Sequence, residues 1–364
     1  MSSTAVPPPV VLFGYDSSPF TQKVRLALKI KQIPYTFVIV PSMMPRPVLR
    51  QSFNLTYRKI PVLVIGREVY CDTSLILEAL EHEFRDGYPS LYPKTADGQN
   101  YRPIIRGFAS FWTDRPLFRV ATGLIPSSVW RTHFGADRAE LIGHKLDPDK
   151  LEAKVPRNLS NLDLHLSILE PQFQSGNTWL FSTKTPSLAD ISLFYQLDWA
   201  CDISAGRGIA NLTGGGTMDT DTEGALPVFN QSRYPAVYRW FLHMRKFLAE
   251  LPTTETRHEM DSSDNEWLTQ IRMHKAPTYA PLVPTPVQAH EELDTKNGLL
   301  PGTRVSVAPD DTGRDNPTFG ILIVLSPEEI VIEPQALDSK PLVDVRLHFP
   351  RTGFVVQPQR SSRL

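Results

Sequence analysis

Ser17-Ser18-Pro19-Phe20-Thr21-Gln22-Lys23-Val24-Arg25 is the stretch on which the reading of the fold turns. Serine before proline is helix-start chemistry: the hydroxyl accepts a first-turn backbone N–H, and proline at the first helical position has no N–H to satisfy. Upstream, Val10–Phe13 is an apolar run suited to a buried strand. Downstream, Val24, Leu26, Ala27, Leu28 and Ile30 fall on or near one helical face, Lys23, Arg25, Lys29 and Lys31 are charged, and Pro34 stops the helix. Thr36–Val40 then reads as a second strand. Strand, helix and strand within about 30 residues form a parallel crossover unit.

Working outward, Pro61–Ile65 and Val69-Tyr70, joined by Gly66-Arg67-Glu68, predict a hairpin, and Cys71-Asp72-Thr73-Ser74 opens a helix to about Phe84. Residues 9–88 thus make one α/β domain. Residues 100–251 are mostly helical, with candidates Arg102–Val120, Asp149–Phe173, Leu188–Cys201 and Ala236–Leu251 and an inserted loop over 206–231. Residues 252–299, proline-rich from Pro277 to Pro286, predict an extended linker. Residues 300–357 carry five β-type runs, at Val305 and Val307, Ile321–Leu325, Ile330–Ile332, Val343–Phe349 and Phe354–Val356. These predict a small β-barrel-like appendage. Residues 1–8 and 358–364 are expected to be a disordered leader and tail.

Composition narrows the function. Of 364 residues 41% are apolar and 21% charged, and the net charge is −1. This is a globular composition with no general attraction to nucleic acid or anionic membranes. Two cysteines, Cys71 and Cys201, exclude a disulfide scaffold and point to a reducing, cytoplasmic compartment. The N-terminal apolar run is too short for a signal peptide or a membrane span. Histidines without paired spacing and two cysteines build no metal site. The glycine-rich stretches lack the Lys-Ser/Thr of a phosphate loop, and no serine sits in a Gly-x-Ser-x-Gly elbow.

Four motifs in order resemble the glutathione transferases over roughly residues 10–250. They are Ser18 after the first strand, Arg58-Lys59-Ile60-Pro61 before the third, Asp72-Thr73 at the next helix start, and Thr185-Pro186-Ser187-Leu188-Ala189-Asp190-Ile191 farther on. The last is a Ser-x-x-Asp capping box and structural. The resemblance implies a thioredoxin-like N-terminal domain, an all-helical C-terminal domain, glutathione as co-substrate and a homodimer. It makes Ser18 the residue that holds the glutathione sulfur, with Ser17 and Tyr15 as competing candidates and Phe20 beside them. Pro61 is the expected cis-proline, leaving the Ile60 backbone to pair with the cysteinyl unit. Asp72 would meet the γ-glutamyl ammonium, Thr73 its carboxylate, and Lys59 the glycyl carboxylate. Tyr15, Trp112, Arg115, Phe118 and Arg119 would line the pocket for a small hydrophobic electrophile, the arginines favouring an anionic or carbonyl-bearing one. Each motif also has a plain structural reading: a capped helix, an N-cap pair, a solvated lysine, a core stripe.

The chemistry explains the residue types. A thiol with a pKa near 8.5 is only about 3% thiolate at pH 7. A hydroxyl donor and the positive end of a helix favour the anion. Serine at position 18, where thiol-transferring relatives carry cysteine, forms no mixed disulfide. The extension beyond residue 251 resembles that of atypical fungal transferase-like proteins. Three activities fit: conjugation of glutathione to an electrophile, glutathione-dependent cis–trans isomerisation of a conjugated double bond, and glutathione binding without catalysis.

Overall fold

The computed structural model describes residues 7–258, 265–337 and 341–359. The first domain runs β1 (Val10–Gly14), α1 (Pro19–Lys31), β2 (Tyr35–Ile39), α2 (Pro47–Phe53), β3 (Val62–Ile65), β4 (Glu68–Cys71) and α3 (Thr73–Glu83). β1 pairs parallel with β2 and antiparallel with β3, and β3 with β4. The crossover and the hairpin therefore stand where the sequence pattern puts them; the short helix α2 was not anticipated.

From Arg102 to Glu250 the regular elements are helices. α4 (Arg102–Gly107), a π-helix (Phe108–Leu117) and α5 (Phe118–Thr122) follow one another without a break. The π register has a cause in Pro116, which offers no N–H to the carbonyl four residues back. Next come α6 (Ser127–Trp130), α7 (His133–Ile142), α8 (Pro148–Ala153), α9 (Val155–Gln174), α10 (Leu188–Ser204), α11 (Ile209–Thr213) and α12 (Pro235–Glu250). The capping box at α10 is formed: Asp190 Oδ2 accepts from the Ser187 N–H at 2.9 Å, while Asp190 Oδ1 takes the N–H groups of Leu180 and Trp240. The expected single helix over Asp149–Phe173 is two, α8 and α9.

Two expectations need correction. The linker expected over 252–299 contains structure: β5 (Glu255–His258) adds to β2 in parallel, α13 (Glu266–Met273) follows, and α14 (Glu291–Lys296) precedes the last strands. Trp267, Leu268 and Ile271 of α13 are buried in the core beside Phe13 and Phe53. Their i, i+1, i+4 spacing is a helix face that the flanking prolines obscured.

The second correction concerns the appendage. Five strands are present, β6 (Arg304–Pro309), β7 (Thr318–Leu325), β8 (Glu329–Pro334), β9 (Arg346–Pro350) and β10 (Phe354–Pro358), but they are not a separate barrel. They continue one ten-stranded mixed sheet in the order β10-β6-β7-β8-β9-β4-β3-β1-β2-β5, joined where β4 pairs parallel with β9. β9 and β10 are three residues apart in the chain yet lie at opposite ends of the five-strand segment, so that segment curls back on itself. Its inward side chains, Val305, Leu322, Ile332, Leu347 and Phe349, share one core with Val11, Phe13, Val62 and Val64 of the first domain. A module of about 60 residues buries too little surface to stand alone, and sharing a core removes that limit. Pro358, expected in the tail, ends β10, and the Gln359 N–H donates to the Arg304 carbonyl. The rest of the expected leader and tail, residues 1–6 and 360–364, lies outside the described residues.

Candidate functional site

Ser18 is the N-cap of α1. Its backbone is extended (φ −80°, ψ 117°), and its Oγ accepts from the Thr21 N–H at 3.2 Å. The side chain is buried. A hydroxyl holds one proton and two lone pairs, so capping leaves the proton available for a ligand at the helix's positive end. Gly14 is required beneath it, because a Cβ there would lie 2.5 Å from the Thr21 methyl.

Ser17 is engaged on every polar group. Its N–H and its hydroxyl both donate to Asn211 Oδ1, at 2.9 and 2.7 Å, and its carbonyl accepts from Trp199 Nε1 at 3.0 Å. Tyr15 is buried in the core, its hydroxyl accepting from Arg138 at 3.4 Å. Phe20 faces Phe118 with ring centroids 4.7 Å apart, and Phe118 faces Trp199 at 6.2 Å. The chain thus brings Ser17, Ser18, Phe20 and Phe118 into one neighbourhood.

The Ile60–Pro61 bond is cis, as is Met44–Pro45. Asp72 caps α3: its Oδ1 accepts from the Ser74 N–H at 2.9 Å and the Ser74 hydroxyl at 2.6 Å. Its φ of +70° is a conformation that L residues rarely adopt, and such geometry clusters at functional sites. Thr73 is buried, with its Oγ1 3.5 Å from Asp114 Oδ2. Lys59 pairs with Asp311 at 2.6 Å.

Three candidate pocket residues go elsewhere or stay open. Trp112 donates from Nε1 to His165 Nδ1 at 3.0 Å and packs on Phe108, so its indole is taken up by α9. Arg115 is exposed and lies over Phe111, with Nη2 beside Gly353 in the β9–β10 turn. Arg119 is exposed.

Residues the motifs did not point to complete the site. Lys23, fully buried on α1, meets Asp114 Oδ2 at 2.6 Å; Tyr195 donates to Asp114 Oδ1 at 2.7 Å, and Gln196 donates to the Tyr195 hydroxyl. Asp114 therefore stands between α1, α3 and α10. Burial first, and the Asp114 charge second, push the Tyr195 pKa well up, so it remains a neutral donor. No local signal could show this cluster, since Lys23 and Asp114 are 91 positions apart. Burial also raises both chain thiols, Cys201 to about 12 and Cys71 well above its ordinary value. Neither chain thiol is thereby favoured as a thiolate.

Comparisons with known proteins were made against this geometry. Residues 12–87 match the family model "Glutathione S-transferase, N-terminal domain", and residues 120–210 match a "Domain of unknown function (DUF7962)". A probable glutathione S-transferase of Solanum tuberosum is 37% identical over 103 residues, which is 28% of this chain and 43% of that protein. Glutathione S-transferase U4 of Arabidopsis thaliana is 34% identical over 103 residues, 28% of this chain and 42% of that protein. The match spans less than half the length of these curated relatives. A GST-like protein from Pseudomonas syringae covers 96% of this chain and 100% of its own, at 25% identity and a TM-score of 0.65. That match, unlike those of the curated relatives, extends over nearly the whole chain. Among the described residues no helix is long and apolar enough to cross a membrane. Together, these findings show similarity to the glutathione S-transferase N-terminal domain over residues 12–87 and, over nearly the whole chain, to the fold of a GST-like protein.

Proposed function

We propose that the chain binds glutathione across α1, the Ile60–Pro61 turn and the start of α3, and uses the Ser18-stabilised thiolate to attack a small hydrophobic electrophile. The observation that carries this is Ser18: a buried N-cap hydroxyl with its proton uncommitted, at the positive end of α1 and next to the Phe20–Phe118 pair. Ser17 is a weaker choice because Asn211 already takes its proton. Tyr15 is weaker because it is packed in the core. In this reading Asp72 takes the γ-glutamyl ammonium, Thr73 and the α3 N-terminus its carboxylate, and the Ile60 backbone the cysteinyl unit. Phe20 and Phe118 line the electrophile side; Arg115 and Arg119 stand at its rim.

Glutathione-dependent cis–trans isomerisation uses the same thiolate and is the second reading. The protein is assigned to the cytoplasm on its two free thiols, and to a homodimer on its family likeness. Calorimetry with glutathione on the intact protein tests the binding step. Mass spectrometry of products from a panel of electrophiles then separates conjugation, seen as a mass gain, from isomerisation, seen as an isobaric product. Absence of any glutathione binding would contradict the proposal.

A further inference from the structure

The loop between β6 and β7 reaches the place where the glycyl end of glutathione would lie. Lys59, assigned to that end, already has a carboxylate on it: Asp311 Oδ1 is 2.6 Å from Lys59 Nζ. The lysine side chain is 25% exposed and the aspartate 62%, so Asp311 comes at Lys59 from the solvent side.

This contact is held by more than charge attraction. The Asp310 N–H donates to the Gly353 carbonyl at 3.0 Å, and Arg314 Nε donates to the Asp311 carbonyl at 2.9 Å. The Gly313 N–H donates to the Leu141 carbonyl of α7 at 2.8 Å. At Gly313 the φ of +77° favours glycine, and a Cβ there would sit 3.1 Å from a Leu141 methyl. Thr56 Oγ1 donates to the Pro317 carbonyl at 2.8 Å. The loop is therefore fastened to the first domain, to the helical domain and to the β9–β10 turn, and it delivers Asp311 to a fixed place. Buried Tyr57 packs against Phe349 and Phe354, next to this loop's anchor on the β9–β10 turn.

We propose that Asp311 is a specificity-determining residue: it occupies the Lys59 ammonium in place of the ligand's terminal carboxylate, so the site gains little from a free carboxylate at that end. The inference rests on the glutathione reading. A lone lysine offers an incoming carboxylate a full charge, whereas a lysine paired at 2.6 Å offers a nearly neutral ion pair that must open first. The thiol tripeptide is then recognised through its γ-glutamyl and cysteinyl parts, and ligands with a masked glycyl carboxylate are admitted on similar terms.

Calorimetry on the full chain tests this with two probes, glutathione and its glycyl monoethyl ester. The wild-type protein should bind both within about twofold. Asp311→Asn, near-isosteric, should tighten glutathione by about three- to fivefold, the worth of a half-exposed ion pair, and move the ester much less. Adding Lys59→Met to Asp311→Asn should abolish that gain, which locates the effect in the pair. An unchanged melting temperature in each variant confirms that folding is intact. Unchanged or weaker glutathione binding in Asp311→Asn overturns the inference, as does equal tightening of both probes. With those results, normal wild-type glutathione binding leaves the broader reading standing. No glutathione binding to the wild-type protein overturns both.

Discussion

At the scale of single residues, Ser18 accepts from the Thr21 N–H, and in the proposed reading the same hydroxyl also donates to the ligand sulfur, two duties that one hydroxyl can perform together. Ser18→Ala should lower stability by about 1 kcal/mol through the lost cap, read as a drop in melting temperature. Asp72 separates cap from charge more cleanly. Asp72→Asn retains an acceptor for the Ser74 N–H but loses the anion, so glutathione binding should weaken by about 1.5–3 kcal/mol in calorimetry while the melting temperature barely moves. Both residues were legible in the sequence because capping is local: a few positions contain the acceptor, the donor and the helix they join. Asp114 and Asn211 were not, since each meets its partners, Lys23 and Ser17, only after distant helices pack.

Among elements, the join between β4 and β9 is pinned by a buried ionic cluster. His348 donates from Nδ1 to Glu329 at 2.5 Å and from Nε2 to Glu68 at 2.7 Å, Arg346 pairs with Glu68, and Tyr70 packs on the imidazole. Burial alone would lower the His348 pKa; hydrogen bonds to Glu329 and Glu68 outweigh it, and the net direction is upward. Burial likewise opposes ionisation of Glu68, but His348 and Arg346 bring its pKa below the ordinary value. The signs set a window. The raised histidine adds stability that is complete below its unfolded pKa of 6.5 and lost as pH rises through the folded value. The lowered glutamate adds stability that is complete above 4.5 and lost as pH falls through its folded value. Melting temperature should therefore peak between about pH 4.5 and 6.5 as far as this cluster governs it. His348→Gln should cost about 3–5 kcal/mol, because it leaves buried Glu329 without its cation and Glu68 with Arg346 alone, and should flatten the alkaline side of that profile. The strands of this region were visible as β-branched runs, whereas their partner was not. Nothing in Val69-Tyr70 says that its free edge takes β9, and inter-strand pairing across 278 positions leaves no local mark.

The ten strands among the described residues form one sheet, and the first domain and the last strands share a core. Truncation after Leu251 would uncover β4 along one edge and β2 along the other, and strip Trp267, Leu347 and Phe349 from the cluster around Phe13 and Val62. The shortened protein should be insoluble or melt far below the full chain, as scanning calorimetry would show. Leu347→Ala, at a fully buried position, should cost about 2–5 kcal/mol. A soluble truncation with an unchanged melting point would mean that the last strands are an appendage after all. The order of α/β, helical and β segments was legible in composition and periodicity, but the joining of the first and last into one sheet was not. Alternation in β6 tells which face is buried and is silent on which body covers it.

The central claim is that Ser18 stabilises a ligand thiolate at the start of α1. The most direct test is titration of the thiolate absorbance of bound glutathione against pH in the wild-type protein and in Ser18→Ala. The account predicts a thiol pKa well below its ordinary value of about 8.5 in the wild type, raised in Ser18→Ala while glutathione is still bound. The same pKa in both proteins would contradict it.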